Sequence, residues 1–186
     1  MKRSFDLLIS ILLLFILTIP IVVISLAILF TSKGPVIHWS KRIGKDNIIF
    51  MMPKFRTMTT NAPDVATHLL ENPSRYYTPV GKFFRDYSLD ELPQLYSILI
   101  GDMSLVGPRP ALHNQDDLVS LRTEVGVNCL LPGITGLAQI NGRDDLSIER
   151  KVEFDLNYLN QKSFRFDVYI LWLTVLKVLK RANISH

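Results

Sequence analysis

A single cysteine, Cys129, occurs in a chain of 186 residues. No intrachain disulfide can form, which fits a reducing compartment. Cys129 has Asn128 and Leu130 as neighbours and no adjacent base, so it reads as a small core residue. The four histidines (His38, His68, His113, His186) lack metal-ligand spacing, which argues against a zinc site. No stripe of Lys and Arg is interleaved with aromatics. The net charge of +4 and the pI of about 9.2 therefore point to an anionic membrane surface rather than to nucleic acid.

Apolar residues are plentiful. They make up 48% of the chain, the mean hydropathy is +0.21, and the excess lies at the two ends. Leu7 to Phe30 is a run of 24 residues, 20 of them apolar. As one helix it would reach roughly 36 Å, enough to cross a bilayer core. A cleaved signal peptide fits poorly, because the run is too long and lacks an Ala-x-Ala site. A spanning anchor and a re-entrant helix remain. Re-entry is favoured on two grounds. Pro20 removes a hydrogen bond near the middle, and Thr18 and Ser25 can satisfy the freed carbonyls. Basic residues stand on both flanks: Lys2 and Arg3 before, Lys33, Lys41, Arg42 and Lys45 after. A division follows, with residues 1–33 as membrane helix and 34–186 as a domain at the membrane face.

After Gly34-Pro35 the period changes. Val36–Trp39 and Ile48–Met51 read as strands joined by a turn, a β-hairpin. Lys54 and Arg56 would share a strand face. Short helices are expected at Val65 to Leu70 and Val80 to Arg85, and a charged one within 111–125. Gly133, Gly136 and Gly142 allow close backbone approach to a ligand, with Arg143 just after. Ser147 can cap a helix whose apolar face is Ile148, Val152, Leu156 and Leu159. The last helix, with Tyr169, Trp172, Lys177, Lys180 and Arg181, reads either as interfacial or as a buried core helix.

The chemistry is expected in Arg85 to Pro110. Ser88 followed by Glu91 has a capping-box pattern, and Asp90 could cap instead. Either way Asp90 lies at a helix start, where unpaired N–H groups favour anions. Pro108 and Pro110 stiffen the chain around Arg109, and a fixed guanidinium suits phosphate. Lys54, Arg56, Arg85, Arg109 and Arg143 supply cations. Adjacent helical carboxylates diverge by about 100°, so Asp90 and Glu91 do not form a glycosidase pair. An aspartate ringed by cations suits phosphoryl transfer, with Mg²⁺ neutralising a diphosphate.

These motifs together resemble the small monotopic phosphoglycosyl transferases of the bacterial sugar transferase family. The matching residues are Lys2-Arg3-x-x-Asp6, Pro20 within the apolar run, Gly34-Pro35, Lys54 to Met58, Ser88 to Leu95, Gly101 to Pro110, Pro132 to Gly136 and Asn141-Gly142-Arg143. The sequence departs at Ile19, where Ser is common, at Leu131, where a base is usual, and at Pro53, where Tyr is common.

The resemblance implies a mostly helical α+β fold with a re-entrant membrane helix, broken at Pro20, and helices lying on the inner leaflet. It implies a monotopic enzyme on the cytoplasmic face of the bacterial inner membrane, in contact with inner-leaflet phospholipids. The implied reaction moves a sugar-1-phosphate from a UDP-sugar to polyprenol phosphate (undecaprenyl phosphate) and releases UMP, opening glycan assembly. Asp90 would be the nucleophile and Mg²⁺ ligand, and Glu91 its partner. Lys54, Arg56, Arg85, Arg109 and Arg143 would bind substrate. A non-catalytic membrane scaffold is the alternative. The sugar is not legible, and oligomeric state, a homo-oligomer included, is left open.

Overall fold

The computed structural model describes the chain except residues 64, 66–69, 143–145 and 185–186 and the side chains of 179–184. The helix expected at Val65 to Leu70 lies largely outside the described residues, as does Arg143. What is described is mostly helical, with two small sheets.

The apolar run folds as α1 (Lys2–Ile16) and α2 (Thr18–Thr31), bent by 62°. Among the described residues no single helix is long and apolar enough to cross a membrane, though the bent pair together has the length and composition. The break falls at Leu17, three residues before Pro20, which occupies the first turn of α2. Proline has no N–H to donate to the Ile16 carbonyl, so the helical ladder is interrupted where α1 ends and α2 begins. The Thr18 hydroxyl donates to Leu14 O (2.8 Å) and the Ser25 hydroxyl to Ile21 O (2.7 Å).

One face of the pair is buried and the other is bare. Phe5, Ile9 and Leu13 pack on the main core, while Ile24 and Ile28 enter a second core with Phe55 and Phe84. Leu8, Leu12, Phe15, Ile19, Val23 and Phe30 are exposed. Both ends are tied to the same domain. Lys2 Nζ pairs with Asp167 Oδ2 (2.7 Å), Arg3 donates to Ile98 O (2.5 Å) and Leu99 O (3.0 Å), and Asp6 accepts from Ser104 Oγ (2.7 Å). At the far end Arg56 donates to Ser32 Oγ (2.8 Å), Ser32 O (3.0 Å) and Lys33 O.

The expected hairpin is present and longer than its apolar runs. β1 (Ile37–Ile43) pairs antiparallel with β2 (Ile49–Phe55), from Ile37 opposite Phe55 to Ile43 opposite Ile49. Its turn places Asp46 and Asn47 in the left-handed region, which short Asx side chains tolerate. β2 ends at Phe55, and Lys54 and Arg56, though both near one cavity, go to different partners, Glu91 and the end of α2.

The domain continues with α3 (Gly81–Asp86), α4 (Gln94–Ile100) and a second sheet, in which β3 (Ser104–Val106) pairs in parallel with β4 (Gly133–Thr135). Here the glycine expectation is corrected. A Cβ on Gly133 would strike Gly107 N, and one on Gly136 would strike Gly107 O. These two glycines let two backbone segments touch, rather than a ligand approach. Gly133→Ala is expected to lower stability by about 1–3 kcal/mol, since backbone on both sides cannot yield. A thermal melt at wild-type Tm would contradict this.

α5 (Asp116–Glu124), α6 (Leu137–Asn141), α7 (Ile148–Gln161) and α8 (Phe164–Ile184) complete the fold. Ser147 caps α7, accepting from Arg150 N (3.4 Å). The deepest residues of α7 include two polar ones, Asp155 and Tyr158. Tyr158 donates from its hydroxyl to Asp167 Oδ1 (2.6 Å), with Val106 O at 3.2 Å. Burial, reinforced by Asp167, pushes this phenol far above its usual range. The last helix has one buried face and one exposed apolar face. Ile170 is fully buried in the main core, while Val168, Tyr169, Trp172 and Val175 are exposed. Lys180 and Arg181 have side chains outside the description. Cys129, expected in the core, is exposed.

Candidate active site

Asp90 and Glu91 lie in a 3₁₀ turn, Leu89–Glu91, between α3 and α4. The capping box does not form. Ser88 adopts a left-handed backbone (φ 57°) without a side-chain cap, and α4 begins only after Pro93. The left-handed residue turns the chain before any helix starts, and so neither acid is a cap. Both are nonetheless buried, at 5% and 8% exposure. Buried carboxylates need partners.

Glu91 finds two. Its Oε1 lies 3.0 Å from Arg109 NH2 and 3.3 Å from Lys54 Nζ. Asp90 lines a cavity of about 740 Å³ with Lys54, Arg56, Arg85 and Arg109. Glu91 is not among its lining residues. The neighbours therefore divide: one carboxylate meets the cavity, the other holds two of the cavity's cations. Burial is the main force lifting the Asp90 carboxyl above its ordinary 3.8, and the Glu91 charge adds to it. Lys54, Arg85 and Arg109 oppose that rise. Burial also pushes the Lys54 ammonium below its ordinary 10.5, against the pull of Glu91 and Asp90. A buried acid and a buried base with shifts toward each other, at one cavity, make Asp90 and Lys54 candidates for chemistry.

The remaining expected cations differ in what they do. Arg85 lies over the Tyr77 ring, 5.7 Å from its centroid, with NH1 3.6 Å from Met58 Sδ. Arg56, although at the cavity, commits its guanidinium to the end of α2. Arg109 is stiffened by more than its prolines. Its carbonyl accepts from Arg122 NH1 (2.8 Å), and Pro110 O accepts from Arg42 NH1 (3.2 Å). Sequence reading missed Arg42 and Arg122. Both belong to elements remote from the motif, and no spacing joins them to it.

Among the described residues no three His, Cys, Asp or Glu cluster as a metal cage. Asp90 at the cavity wall suits a cation that takes one protein carboxylate and draws its other ligands from phosphates and water. Mg²⁺ binds in this way.

A model of the bacterial sugar transferase family matches residues 1–181. The chain is 41% identical over 184 residues to the UDP-glucose:undecaprenyl-phosphate glucose-1-phosphate transferase of Klebsiella pneumoniae, covering 95% of this chain and 39% of that protein. It is 36% identical over 197 residues to the undecaprenyl-phosphate galactose phosphotransferase of Salmonella typhimurium, covering 97% and 41%. With the uncharacterized sugar transferase EpsL of Bacillus subtilis it shares 43% identity over 189 residues, covering 100% and 91%. The chain thus spans about two fifths of the first two relatives and most of the third.

Proposed function

The chain belongs to the bacterial sugar transferase family, and from that premise we propose that it moves a sugar-1-phosphate from a UDP-sugar to polyprenol phosphate, releasing UMP. The observation that carries the reading is the buried Asp90 carboxylate opening on a cavity lined by Lys54, Arg85 and Arg109. The names of the relatives, a glucose-1-phosphate transferase and a galactose phosphotransferase acting with undecaprenyl phosphate, support the reading.

The chemistry divides into two displacements. An Asp90 oxygen attacks the phosphorus that carries the sugar. The bond from that phosphorus to the bridging oxygen breaks, and UMP leaves with the electron pair. The aspartyl phosphosugar is then attacked by a phosphate oxygen of the polyprenol phosphate. The Asp90 carboxylate leaves and is restored. Asp90 must be ionised to attack. Arg109 and Arg85 offset charge on the diphosphate, and Lys54 is placed to stabilise the leaving oxygen. Mg²⁺, held by Asp90 and the substrate phosphates, would neutralise diphosphate charge. Arg143 would add a further phosphate contact.

We further read the α1–α2 pair as a re-entrant membrane element. Its bare apolar face calls for a lipid phase. Both ends are bonded to one domain, which leaves no end free to cross. The protein is then monotopic on the cytoplasmic face of the inner membrane, with the exposed apolar face of α8 on the inner-leaflet lipids. A single cysteine at Ser4, in a Cys129→Ser background, is expected to resist an impermeant thiol reagent in intact cells and to react after lysis. Labelling from outside would establish a full crossing instead.

UMP release from a panel of UDP-sugars, with and without polyprenol phosphate, tests the function. Release with one sugar is expected. Absence of release with every sugar would support the non-catalytic scaffold.

A further inference from the structure

Pro108-Arg109-Pro110 has one backbone N–H, because proline has none. A strand ladder cannot pin such a segment, and its carbonyls are the remaining handles. All three are held. Pro108 O accepts from Gly133 N (2.8 Å), Arg109 O from Arg122 NH1 (2.8 Å) and Pro110 O from Arg42 NH1 (3.2 Å). The middle contact is the most elaborate. Arg122, on α5, also donates from Nε (3.0 Å) and NH2 (2.6 Å) to Asp155 Oδ2 on α7. Arg122 is 9% exposed and Asp155 1%.

Such a pair is a poor source of stability. Desolvating two charges offsets much of their attraction, and well-packed apolar residues often do as well. An apolar pair, however, could not hold a carbonyl. The contact it holds is one residue's backbone away from the guanidinium that meets Glu91 at 3.0 Å. We propose that the Arg122–Asp155 pair is a positioning device for the active site, fixing the Arg109 backbone so that its guanidinium meets Glu91 and the anionic diphosphate of the substrate. The assignment rests on the reading of Arg109 as a diphosphate contact. Arg122 and Asp155 act through Arg109 and are not themselves required to touch substrate.

The test is a double-mutant cycle on kcat/KM with the UDP-sugar that the full chain turns over. Arg122→Lys keeps a charge for Asp155 and loses the fork that also reaches Arg109 O. It is expected to lower kcat/KM about tenfold, as a small misplacement of a contact group does, with Tm near wild type. In an Arg109→Ala background, where no guanidinium is left to position, the same change is expected to cost less than about twofold. Asp155→Asn should follow the same pattern. A multiplicative loss in the Arg109→Ala background would mean that Arg122 acts independently of Arg109, and would overturn the proposal. Wild-type turnover of Arg122→Lys would do so too. If Arg122→Lys does not fold, the cycle is measured with Asp155→Asn. If neither folds, the pair is structural and the assignment falls. Wild-type turnover of Arg109→Ala itself would remove the reading of Arg109, a result distinct from an independent loss at Arg122.

Discussion

Asp90→Asn is expected to reduce UMP release by about 10³-fold or more, the scale seen when a covalent nucleophile is removed. The variant should fold. Asn has nearly the shape of Asp, and burial already disfavours the charge that is lost. A group whose folded pKa is raised costs stability as pH climbs through its unfolded value, and so Asn should leave Tm at neutral pH unchanged or higher. The two readouts separate a chemical role from a structural one. Lost turnover with intact Tm fits a nucleophile. Lost turnover together with a collapsed Tm would make Asp90 a packing residue.

Glu91→Gln should give the second largest effect, a fall in kcat/KM of about 10- to 100-fold. One oxygen of Glu91 holds both Lys54 and Arg109. Removing its charge leaves the two cations less compensated, and breaking a buried pair from one side is costly. The pH–rate profile gives a sharper sign. In the wild type, activity should rise as Asp90 loses its proton, on a limb above the ordinary carboxylate range. It should fall as Lys54 loses its proton, on a limb below the ordinary lysine range. Glu91 raises both groups. Glu91→Gln should therefore move both limbs to lower pH. A profile whose limbs stay in place would show that Glu91 does not set the charge state of the site. Adding Lys54→Met to Glu91→Gln should recover stability without recovering turnover.

Much of this site could be read in the sequence because its central chemistry is local. Asp90 and Glu91 are neighbours, Arg109 is flanked by its prolines, and the hairpin announces itself by two short apolar runs on either side of turn residues. Two local signals misled because tertiary structure overrode them. Ser88 has the side chain of a cap but a left-handed backbone. Gly133 and Gly136 read as a ligand cradle, yet their missing Cβ atoms make room for Gly107. What stayed hidden is long-range. Arg42 and Pro110 are 68 positions apart, and Arg122 and Asp155 are 33 apart. β3 and β4 span three residues each, too short for any period to register. Arg56, expected among the cations, does line the cavity, but its partners at Ser32 and Lys33 come from the end of a helix in another part of the chain.

The covalent step at Asp90 is tested most directly by mass spectrometry of the protein incubated with a UDP-sugar and Mg²⁺, without polyprenol phosphate. The account predicts a mass increase of one sugar-phosphate on the peptide bearing Asp90, UMP in equal amount, and loss of both in Asp90→Asn. An absence of adduct under these conditions, together with initial-rate lines that intersect as for a ternary complex, would contradict it. Asp90 would then serve as a metal ligand or base, with the lipid phosphate attacking the diphosphate directly.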